Sequence, residues 1–373
     1  MDNNVNIYLD TIVFRIQKYG GASTYWKELL VNFSQLKHIT LILQSKNLYK
    51  LNKDGQHSLN LYNKSYKPLI ENILPVSILR YMPLTKKLPP RSIYHASYYR
   101  TCVQNDVINI FTIHDFTHKK GYASKFPRRL VHIGLTALGL KNADGIICIS
   151  ESTKRDLMHY YPQISEKKIR VIYHGISDDF FPITEKVKIK FREIFNLNEP
   201  FVLFVGKRSG YKKFDIIPKA IEDFKNIKLV IVGGGNLSKS EVKFLNVILQ
   251  GRYYKLDDVS NFELNVLYNY AFCLIYPSLY EGFGIPLLEA MKAGCPVITN
   301  KMSSLSEVGG DAVLTMVDIT SDAILEKLKE LIDSKIRLAL IKKGFINTKK
   351  FTWSKCFNET YMFYNEIYNQ KFN

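Results

Sequence analysis

The sequence of 373 residues has no long hydrophobic run, and no stretch approaches the ~18 apolar residues that a membrane-spanning helix needs. Its first residues lack the basic segment and apolar core of a secretory signal peptide. The five cysteines are an odd number without a Cys-x-x-Cys pair, which argues against a disulfide framework and against zinc. We therefore expect a cytoplasmic protein, with any membrane contact peripheral.

Acidic residues are scarce relative to basic ones, and the net charge is +18. Such a charge fits nucleic acid, an anionic membrane surface or a polyanionic small substrate. The lysines and arginines are scattered as pairs along the chain rather than gathered in one arm. This distribution disfavours nucleic acid, and the charge alone does not decide between the other two partners.

Short apolar runs alternate with segments of helical spacing, the pattern of parallel sheets covered by helices. The predicted strands are Val5–Leu9, Ile39–Leu43, Ile108–Ile113, Gly145–Ile149, Ile169–Ile172, Phe201–Val205, Lys228–Val232, Cys273–Tyr276 and Pro296–Thr299. A proline-bearing, charged stretch interrupts the pattern and places a domain boundary near 180–198. We predict an α/β protein with domains at 1–185 and 186–350, and no structure is assigned to 50–92.

Two features point to a ligand site in the first domain. Gly20 and Gly21 follow the first strand and precede a helix, where glycines let a backbone approach a phosphate. His114 and Asp115 end another strand, where a neutral imidazole whose tautomer Asp115 fixes can bond a sugar hydroxyl. Each feature alone also fits a simple turn or a structural pair.

The loop after the strand Phe201–Val205 carries Arg208 and Lys212 among glycines. A planar guanidinium and a compact ammonium together suit a diphosphate. No Asp-x-Asp pair, the usual carboxylate holder of a metal against a diphosphate, occurs in the chain. We therefore expect no metal and no cofactor, with the positive side chains neutralising the phosphates.

The segment from Tyr276 to Met291 is the most specific signal in the sequence. Glu281 should lie in a glycine loop and Glu289 in the first turn of a helix that Pro286 begins. The main-chain amides of Gly282, Phe283 and Gly284 are then free for phosphate or hydroxyl oxygens. The carboxylates can hold different parts of one ligand.

These motifs, in this order and spacing, resemble the family 4 glycosyltransferases. The resemblance implies the GT-B fold, two facing Rossmann-like domains with an interdomain cleft. It also implies that residues 351–373 form a helix returning to the N-terminal domain. The aromatic side chains along the segment from Phe351 to Tyr368 have helical spacing and independently predict a docked helix there.

The resemblance also implies roles for the motif residues. Arg208 and Lys212 would bind the donor diphosphate, Glu281 and His114 the transferred sugar, and Glu289 the ribose. Gly20 and Gly21 would line the phosphate and acceptor side. The site residues predicted as catalytic are His114, Glu281, Arg208 and Lys212; those predicted to bind the donor are Gly20, Gly21, Arg208, Lys212, Glu281, Gly282, Phe283, Gly284 and Glu289.

Such an enzyme would be a retaining, metal-independent hexosyltransferase, with mannose favoured, acting on a glycan or lipid-linked acceptor of surface polysaccharide synthesis. The segment 251–260 departs from the family pattern, so the residues that hold the nucleotide base are not identified. Lys213 is an alternative to Lys212 as the phosphate ligand. A sugar-nucleotide epimerase with two Rossmann-like domains and a nonenzymatic binder of nucleic acid or acidic lipid stay open as alternatives.

Overall fold

The computed structural model describes residues 5–17, 20–36, 39–42, 74–184, 199–208 and 210–372. The chain divides into two units. Unit 1 comprises Met1–Gly175 with Trp353–Asn373, and unit 2 comprises Ile176–Thr352. The sequence places the first boundary about ten residues later, and much of that predicted stretch, 185–198, lies outside the described residues.

Unit 1 contains a six-stranded parallel sheet with strand order β2-β1-β3-β4-β5-β6. Its strands are β1 (Ile7–Asp10), β2 (Ile39–Ile42), β3 (Ile93–Ala96), β4 (Ile108–Ile113), β5 (Gly145–Cys148) and β6 (Ile169–Val171). Its helices are α1 (Val13–Ile16), α2 (Gly21–Ser34), α3 (Val76–Leu79), α4 (Arg128–Asn142), α5 (Glu151–Tyr160) and α13 (Trp353–Phe372), with a 3-10 turn at Glu166–Lys168.

Helix α13 completes the core of unit 1. The buried side chains of Trp353, Phe363 and Tyr364 belong to the same apolar cluster as strands β1 and β4. Phe33 of α2 lies 4.9 Å from the ring of Phe357 and stacks on Tyr364 at 5.6 Å. The aromatic period seen in the sequence is therefore the face that this helix buries.

Unit 2 contains a second six-stranded parallel sheet with strand order β12-β11-β10-β7-β8-β9. Its strands are β7 (Phe201–Val205), β8 (Lys228–Val232), β9 (Tyr253–Leu256), β10 (Cys273–Tyr276), β11 (Val297–Asn300) and β12 (Leu314–Met316). Its helices are α6 (Ile216–Ala220), α7 (Lys239–Leu249), α8 (Asn261–Tyr270), α9 (Ile285–Ala293), α10 (Leu305–Gly309), α11 (Ser321–Glu330) and α12 (Ser334–Thr348), with a 3-10 turn at Gly210–Lys212.

Each strand order reverses direction once, between β1 and β3 in unit 1 and between β7 and β10 in unit 2. Loops that leave two neighbouring strands in opposite directions open a crevice at their carboxyl ends, where ligands of open α/β sheets bind. The loops carrying Lys212 and Glu281 leave β7 and β10. The fold therefore brings these two motifs to one place.

The predicted fold class of two parallel-sheet α/β domains is confirmed. The strands β4, β7, β8 and β10 have the predicted bounds, whereas β3, β9 and β12 were not among the predicted strands. Leu43, the predicted end of β2, lies outside the described residues. Within the part of the chain that the structure describes, no helix is both long and apolar enough to cross a membrane.

Truncation of Phe363 to alanine should destabilise unit 1 by about 3–5 kcal/mol, because its buried ring fills the space over Gly145 of β5. Both tryptophans, Trp26 and Trp353, lie in unit 1. Tryptophan fluorescence during urea denaturation therefore reports this unit selectively. The neighbouring Met362→Ala, at a side chain 55% exposed, is the control and should change the midpoint little. Equal effects of both substitutions would contradict the assigned packing.

Candidate functional site

Lys212 and Glu281 form an ion pair at the reversal point of the unit 2 sheet. The Lys212 ammonium donates to Glu281 Oε1 at 2.6 Å and to the Tyr276 hydroxyl at 3.0 Å. The lysine and glutamate side chains are only 11% and 14% exposed. Burial works to lower the pKa of Lys212, but Tyr276 and Glu281 outweigh it and hold that pKa above its usual range. The ammonium therefore stays charged.

Two serines after β11 hold the loop that carries Glu281. The Ser303 hydroxyl accepts the main-chain N–H of Glu281 at 2.8 Å. The Ser304 hydroxyl lies 2.9 Å from the carbonyl oxygens of both Glu281 and Phe283. Neither serine was predicted as a site residue, because their position beside the loop follows from the pairing of β10 with β11.

The glycine loop ends at Gly284, which precedes helix α9 with φ of 101°. This left-handed conformation disfavours any residue with a side chain. A Cβ at Gly284 would also lie 3.0 Å from Leu305. The loop that contains Gly282 and Phe283 therefore leads directly into helix α9, as predicted. Pro286 lies in the first turn of that helix.

Glu289 is the fifth residue of α9, so it lies one turn deeper than the predicted first turn. The Tyr268 hydroxyl donates to Glu289 Oε2 at 2.9 Å. Burial raises the pKa of Glu289 to about 7, although the bond from Tyr268 works in the other direction. A carboxyl group that titrates near neutrality therefore lies in the helix that follows the loop of Glu281.

Arg208 has hydrogen-bond partners within unit 2 that the sequence did not predict. Its Nε donates to Glu241 at 2.7 Å, and its side chain is 5% exposed. The other guanidinium nitrogens donate to the carbonyl oxygens of Gly233, Gly235 and Asn236 at 3.0–3.1 Å. Four of the five N–H groups of the guanidinium are thereby occupied. Arg208 makes no hydrogen bond to Lys212 or Glu281 among the described residues.

The segment that Arg208 holds follows β8. Gly233, Gly234 and Gly235 have φ values of 74°, 80° and 72°. A Cβ at Gly234 would lie 2.7 Å from the carbonyl oxygen of Gly206, so the two loops approach through main chain alone. We refer to residues 233–236 as the glycine segment. At Gly234, only glycine satisfies both the backbone conformation and this contact.

Glu241 links Arg208 to helix α7. Its carboxylate also accepts from the main-chain N–H of Ser238, in a capping box at the start of that helix. Partial burial opposes ionisation, but Arg208 and Ser238 outweigh it and lower the pKa of Glu241 to about 2. The glutamate therefore stays ionised and keeps Arg208 in place.

In unit 1, Gly20 and Gly21 lie at the start of α2, as predicted. Gly20 has φ of 138°, and its carbonyl oxygen accepts from the Ser23 hydroxyl at 2.9 Å and from the Thr24 N–H at 3.0 Å. The φ of Gly20 is one that side-chain-bearing residues rarely adopt. A glycine is therefore required where the chain enters the helix.

His114 follows β4 directly. Its Nε2 is buried without a hydrogen-bond partner, and its ring packs against Tyr25 at 5.3 Å and His174 at 5.7 Å. Burial lowers the pKa of His114 to about 4, so the imidazole is neutral. The expectation that Asp115 fixes its tautomer is wrong, because the Asp115 carboxylate accepts instead from the N–H and hydroxyl of Thr117.

A buried polar chain that the sequence did not reveal lies beside His114. Thr112 Oγ1 is 2.7 Å from His95 Nε2 and 3.4 Å from the Tyr25 hydroxyl. His95 Nδ1 is 2.5 Å from the Tyr364 hydroxyl of α13. The chain connects β3, β4, α2 and α13. Tyr25, which packs on His114, is fixed at its far end by this network.

The predicted residues thus occupy three settings. Lys212 and Glu281 are brought into direct contact, and Glu289 follows on the same loop and helix. Arg208 lies in unit 2 but bonds the glycine segment, while Gly20, Gly21 and His114 lie at the carboxyl edge of the unit 1 sheet. Unit 2 offers a fixed cation and two carboxyl groups, which can bind a polyhydroxylated anion. Unit 1 offers a neutral imidazole.

The likeness to solved structures shows the fold to be GT-B. Sucrose-phosphate synthase from Thermosynechococcus elongatus aligns with a TM-score of 0.71 at 18% identity, covering 98% of this chain and 100% of that one. HepE of Anabaena, in complex with UDP-glucose, aligns with a TM-score of 0.74 at 14% identity, covering 97% and 99%. At these sequence identities the structural similarity supports only the assignment of the fold.

Two family models match the chain in succession. The model described as Glycosyltransferase Family 4 matches residues 19–180, and the model described as Glycosyl transferases group 1 matches residues 185–345. Together the matches include every predicted site residue. The chain belongs to glycosyltransferase family 4.

Curated relatives match over part of their length. An O-antigen chain mannosyltransferase B of Escherichia coli is 41% identical over 102 residues, which is 26% of each chain. An uncharacterized glycosyltransferase of Methanocaldococcus jannaschii is 30% identical over 238 residues, 61% of this chain and 60% of that one. The O-antigen chain mannosyltransferase RfbU of Salmonella typhimurium is 27% identical over 211 residues, 55% of each. The chain therefore spans less than two thirds of these relatives.

Glu289→Gln should raise the thermal unfolding midpoint at pH 8 and leave it nearly unchanged at pH 5. The folded-state pKa of Glu289 is raised from 4.5 to about 7, so its stabilising contribution is present below pH 4.5 and is lost as pH rises through about 7. Because the side chain is partly accessible, we expect about 1–2 kcal/mol at pH 8. The exposed Glu326→Gln is the control, and the same pH profile in both variants would refute the assignment.

Arg208→Lys and Glu241→Gln should each speed amide hydrogen exchange in the glycine segment. Lysine keeps the charge but cannot reach three carbonyl oxygens and a carboxylate at once, and the neutral amide no longer attracts the guanidinium. A loss of local stability of about 1–3 kcal/mol is expected. Lys207→Gln, at the exposed neighbouring position, is the control. Unchanged exchange in both test variants would contradict the role of Arg208 and Glu241 in holding the glycine segment.

Proposed function

We propose that the protein is a retaining hexosyltransferase that moves a hexose, with mannose favoured, from a nucleotide-diphosphate sugar to a glycan or lipid-linked acceptor. We place the reaction in surface polysaccharide or glycoconjugate synthesis and assign no metal to it. The observation that carries the proposal is the shielded Lys212–Glu281 pair at the reversal point of the sheet in a family 4 chain.

Lys212 is proposed to bind the donor diphosphate. Its ammonium is charged, and one carboxylate together with one hydroxyl occupies only two of its three N–H donors. In a setting shielded from water, an ammonium stabilises the negative charge that grows on a departing diphosphate. Lys212 rather than Lys213 is favoured because it is the residue that contacts Glu281.

Glu281 and Glu289 are proposed to position the sugar and the ribose. A carboxylate accepts hydrogen bonds from paired hydroxyls. Glu281 directly precedes the main-chain amides of Gly282, Phe283 and Gly284, and Glu289 lies in the helix that follows them. Release of Glu281 from Lys212 when the diphosphate arrives would leave its carboxylate for the transferred sugar. Anionic phosphate and the Glu281 carboxylate thus compete for one ammonium.

Arg208 is proposed to serve the diphosphate in one of two ways that its geometry allows. It has one N–H group left after its bonds to Glu241 and to the glycine segment. That group can donate directly, or the guanidinium can act by fixing the main chain beside the phosphates. In either case the loss of Arg208 should lower donor affinity.

His114, Gly20 and Gly21 are the proposed contribution of unit 1. The unpartnered Nε2 of a neutral imidazole can donate to, or accept from, a hydroxyl of the transferred sugar. The main chain at Gly20 permits close approach to phosphate or acceptor oxygens. Front-face transfer, with the leaving diphosphate accepting the acceptor proton, would retain the anomeric configuration.

The relatives support the nature of the substrates. Two of the curated relatives are named O-antigen chain mannosyltransferases, which supports mannose and a surface polysaccharide acceptor. HepE was crystallised with UDP-glucose and with UDP, which supports a nucleotide-sugar donor. These names favour the class of donor without choosing between guanine and uracil as the base.

A thermal-shift screen tests donor binding directly. GDP, UDP, GDP-mannose and UDP-glucose are added in the presence of a chelator, and at least one is expected to raise the unfolding midpoint. Lys212→Ala should weaken the binding of that ligand by about 10-fold to 100-fold, because a charge-assisted hydrogen bond is lost. Lys327→Ala removes a lysine paired with surface glutamates and is the control. No shift with any nucleotide would refute the proposal.

Product analysis then separates transfer from isomerisation. Incubation of the stabilising sugar nucleotide with and without a polysaccharide-type acceptor should give product only with the acceptor, with the donor's anomeric configuration. Glu281→Ala should abolish this product while unfolding stays cooperative. A rearranged sugar nucleotide formed without acceptor would establish an epimerase instead.

A further inference from the structure

One segment of unit 1 carries charge of a single sign. Residues 116–143 contain six lysines and arginines and no aspartate or glutamate. The six are Lys119, Lys120, Lys125, Arg128, Arg129 and Lys141. Lys125 and Arg128 are exposed and have no ion-pair partner in the described part of the chain. The Arg129 guanidinium donates to the main-chain carbonyl of Lys119. Lys120 pairs with Asp156 at 3.1 Å. The charges of Lys125 and Arg128 are therefore the ones available to an external partner.

Helix α4, in the same segment, turns an apolar stripe outward. Phe126, Leu130 and Leu138 are 79%, 58% and 49% exposed, and Val131 beside them is 47% exposed. Leu130, Gly134 and Leu138 are four apart and follow one side of the helix, and Phe126 lies two residues before the helix begins. At Gly134, between them, an added Cβ would meet nothing within 4 Å. A surface helix normally turns its polar side to water, and this one does not.

The charged and apolar groups meet at a hollow before the helix. It has a volume of about 430 Å³ and lies between the loop at 121–126 and the first turns of α4. Lys125 and Arg129 line it together with Phe126, Leu130 and Ile133. Cationic groups over apolar walls match a phosphate headgroup attached to hydrocarbon.

We propose that residues 119–138, hereafter the α4 face, dock on a bilayer that contains anionic phospholipid. Lys125, Arg128 and Arg129 bind headgroup phosphates, while Phe126 and Leu130 enter the boundary between headgroups and acyl chains. The inference deepens the proposed function, since a lipid-linked acceptor is presented at such a surface.

A bilayer fits the α4 face better than the other partners of a basic surface. A second copy of the chain would place one cationic segment against another, and like charges repel. Nucleic acid is bound through basic and polar groups, and it offers no hydrocarbon for side chains as exposed as Phe126. An anionic bilayer supplies both negative charge and hydrocarbon.

Sedimentation with vesicles, without any sugar nucleotide, tests the inference. The wild-type chain should bind vesicles of phosphatidylcholine with phosphatidylglycerol, more weakly at high salt, and should not bind phosphatidylcholine alone. Lys125→Glu with Arg128→Glu should lower the partition coefficient by at least about 30-fold, because two attractive charges of roughly a fivefold step each are lost and replaced by repulsive ones. Phe126→Ser with Leu130→Ser should lower binding at both salt concentrations.

A matched control isolates the face from the net charge. Lys342→Glu with Lys349→Glu makes the same change at two exposed lysines of unit 2 and should alter binding by less than about 2-fold. Equal loss in this control, binding to neutral vesicles as strong as to anionic ones, or no binding by the wild-type chain would each overturn the inference. A change in oligomeric state on gel filtration in the α4 variants would show instead that the face joins copies of the chain.

The thermal shift caused by nucleotides is measured on the same variants. It should be unchanged, because none of the four substituted α4 positions belongs to the proposed donor site. A chain that binds vesicles but no nucleotide would retain the membrane surface and lose the proposed function. A chain that binds nucleotide but no vesicle would show the reverse.

Discussion

The parallel pairing of β10 with β7 is the constraint on which the Lys212–Glu281 pair depends. Cys273 and Leu274 pair with Val202 and Leu203, so the two strands end side by side although about seventy residues separate them in the chain. Their side chains are fully buried on both sheet faces and cannot slip in register without exposing apolar surface. The loops that follow have no freedom to separate, and Lys212 meets Glu281 as a result.

The two basic side chains of the predicted donor site are already paired with carboxylates. Lys212 is matched by Glu281 and Arg208 by Glu241, and both pairs are largely shielded from water. The net charge of +18 is therefore carried elsewhere, on side chains such as those of the α4 face. Under the proposed function, an incoming diphosphate uses the N–H groups that remain and competes with the Glu281 carboxylate for Lys212. This exchange favours ligands that offer the carboxylate a new partner, as hydroxyl-bearing sugars do.

The sequence predicts those parts of the fold whose burial leaves a continuous pattern. Strands such as Phe201–Val205 are apolar throughout because helices cover both faces of the sheet. Tyr253–Leu256 was not predicted as a strand, since it is an edge strand, half-buried, with polar Lys255 in its middle. The candidate site residues were chosen by residue type and motif. The sequence could not predict that Arg208 bonds Glu241, because the two residues are 33 positions apart in the chain. Likewise, the edge-to-face contact of Tyr25 with His114 arises only from tertiary packing.

Helix α13 has a consequence for biosynthesis. It belongs to the core of unit 1, yet all of unit 2 precedes it in the chain. A ribosome therefore releases the first 175 residues of unit 1 well before the segment that covers their apolar surface. Until Trp353 and Phe363 emerge, the nascent protein exposes the face of α2 that they later bury. Unit 2 is a single continuous segment of the chain, so all of its residues are synthesised before those of helix α13.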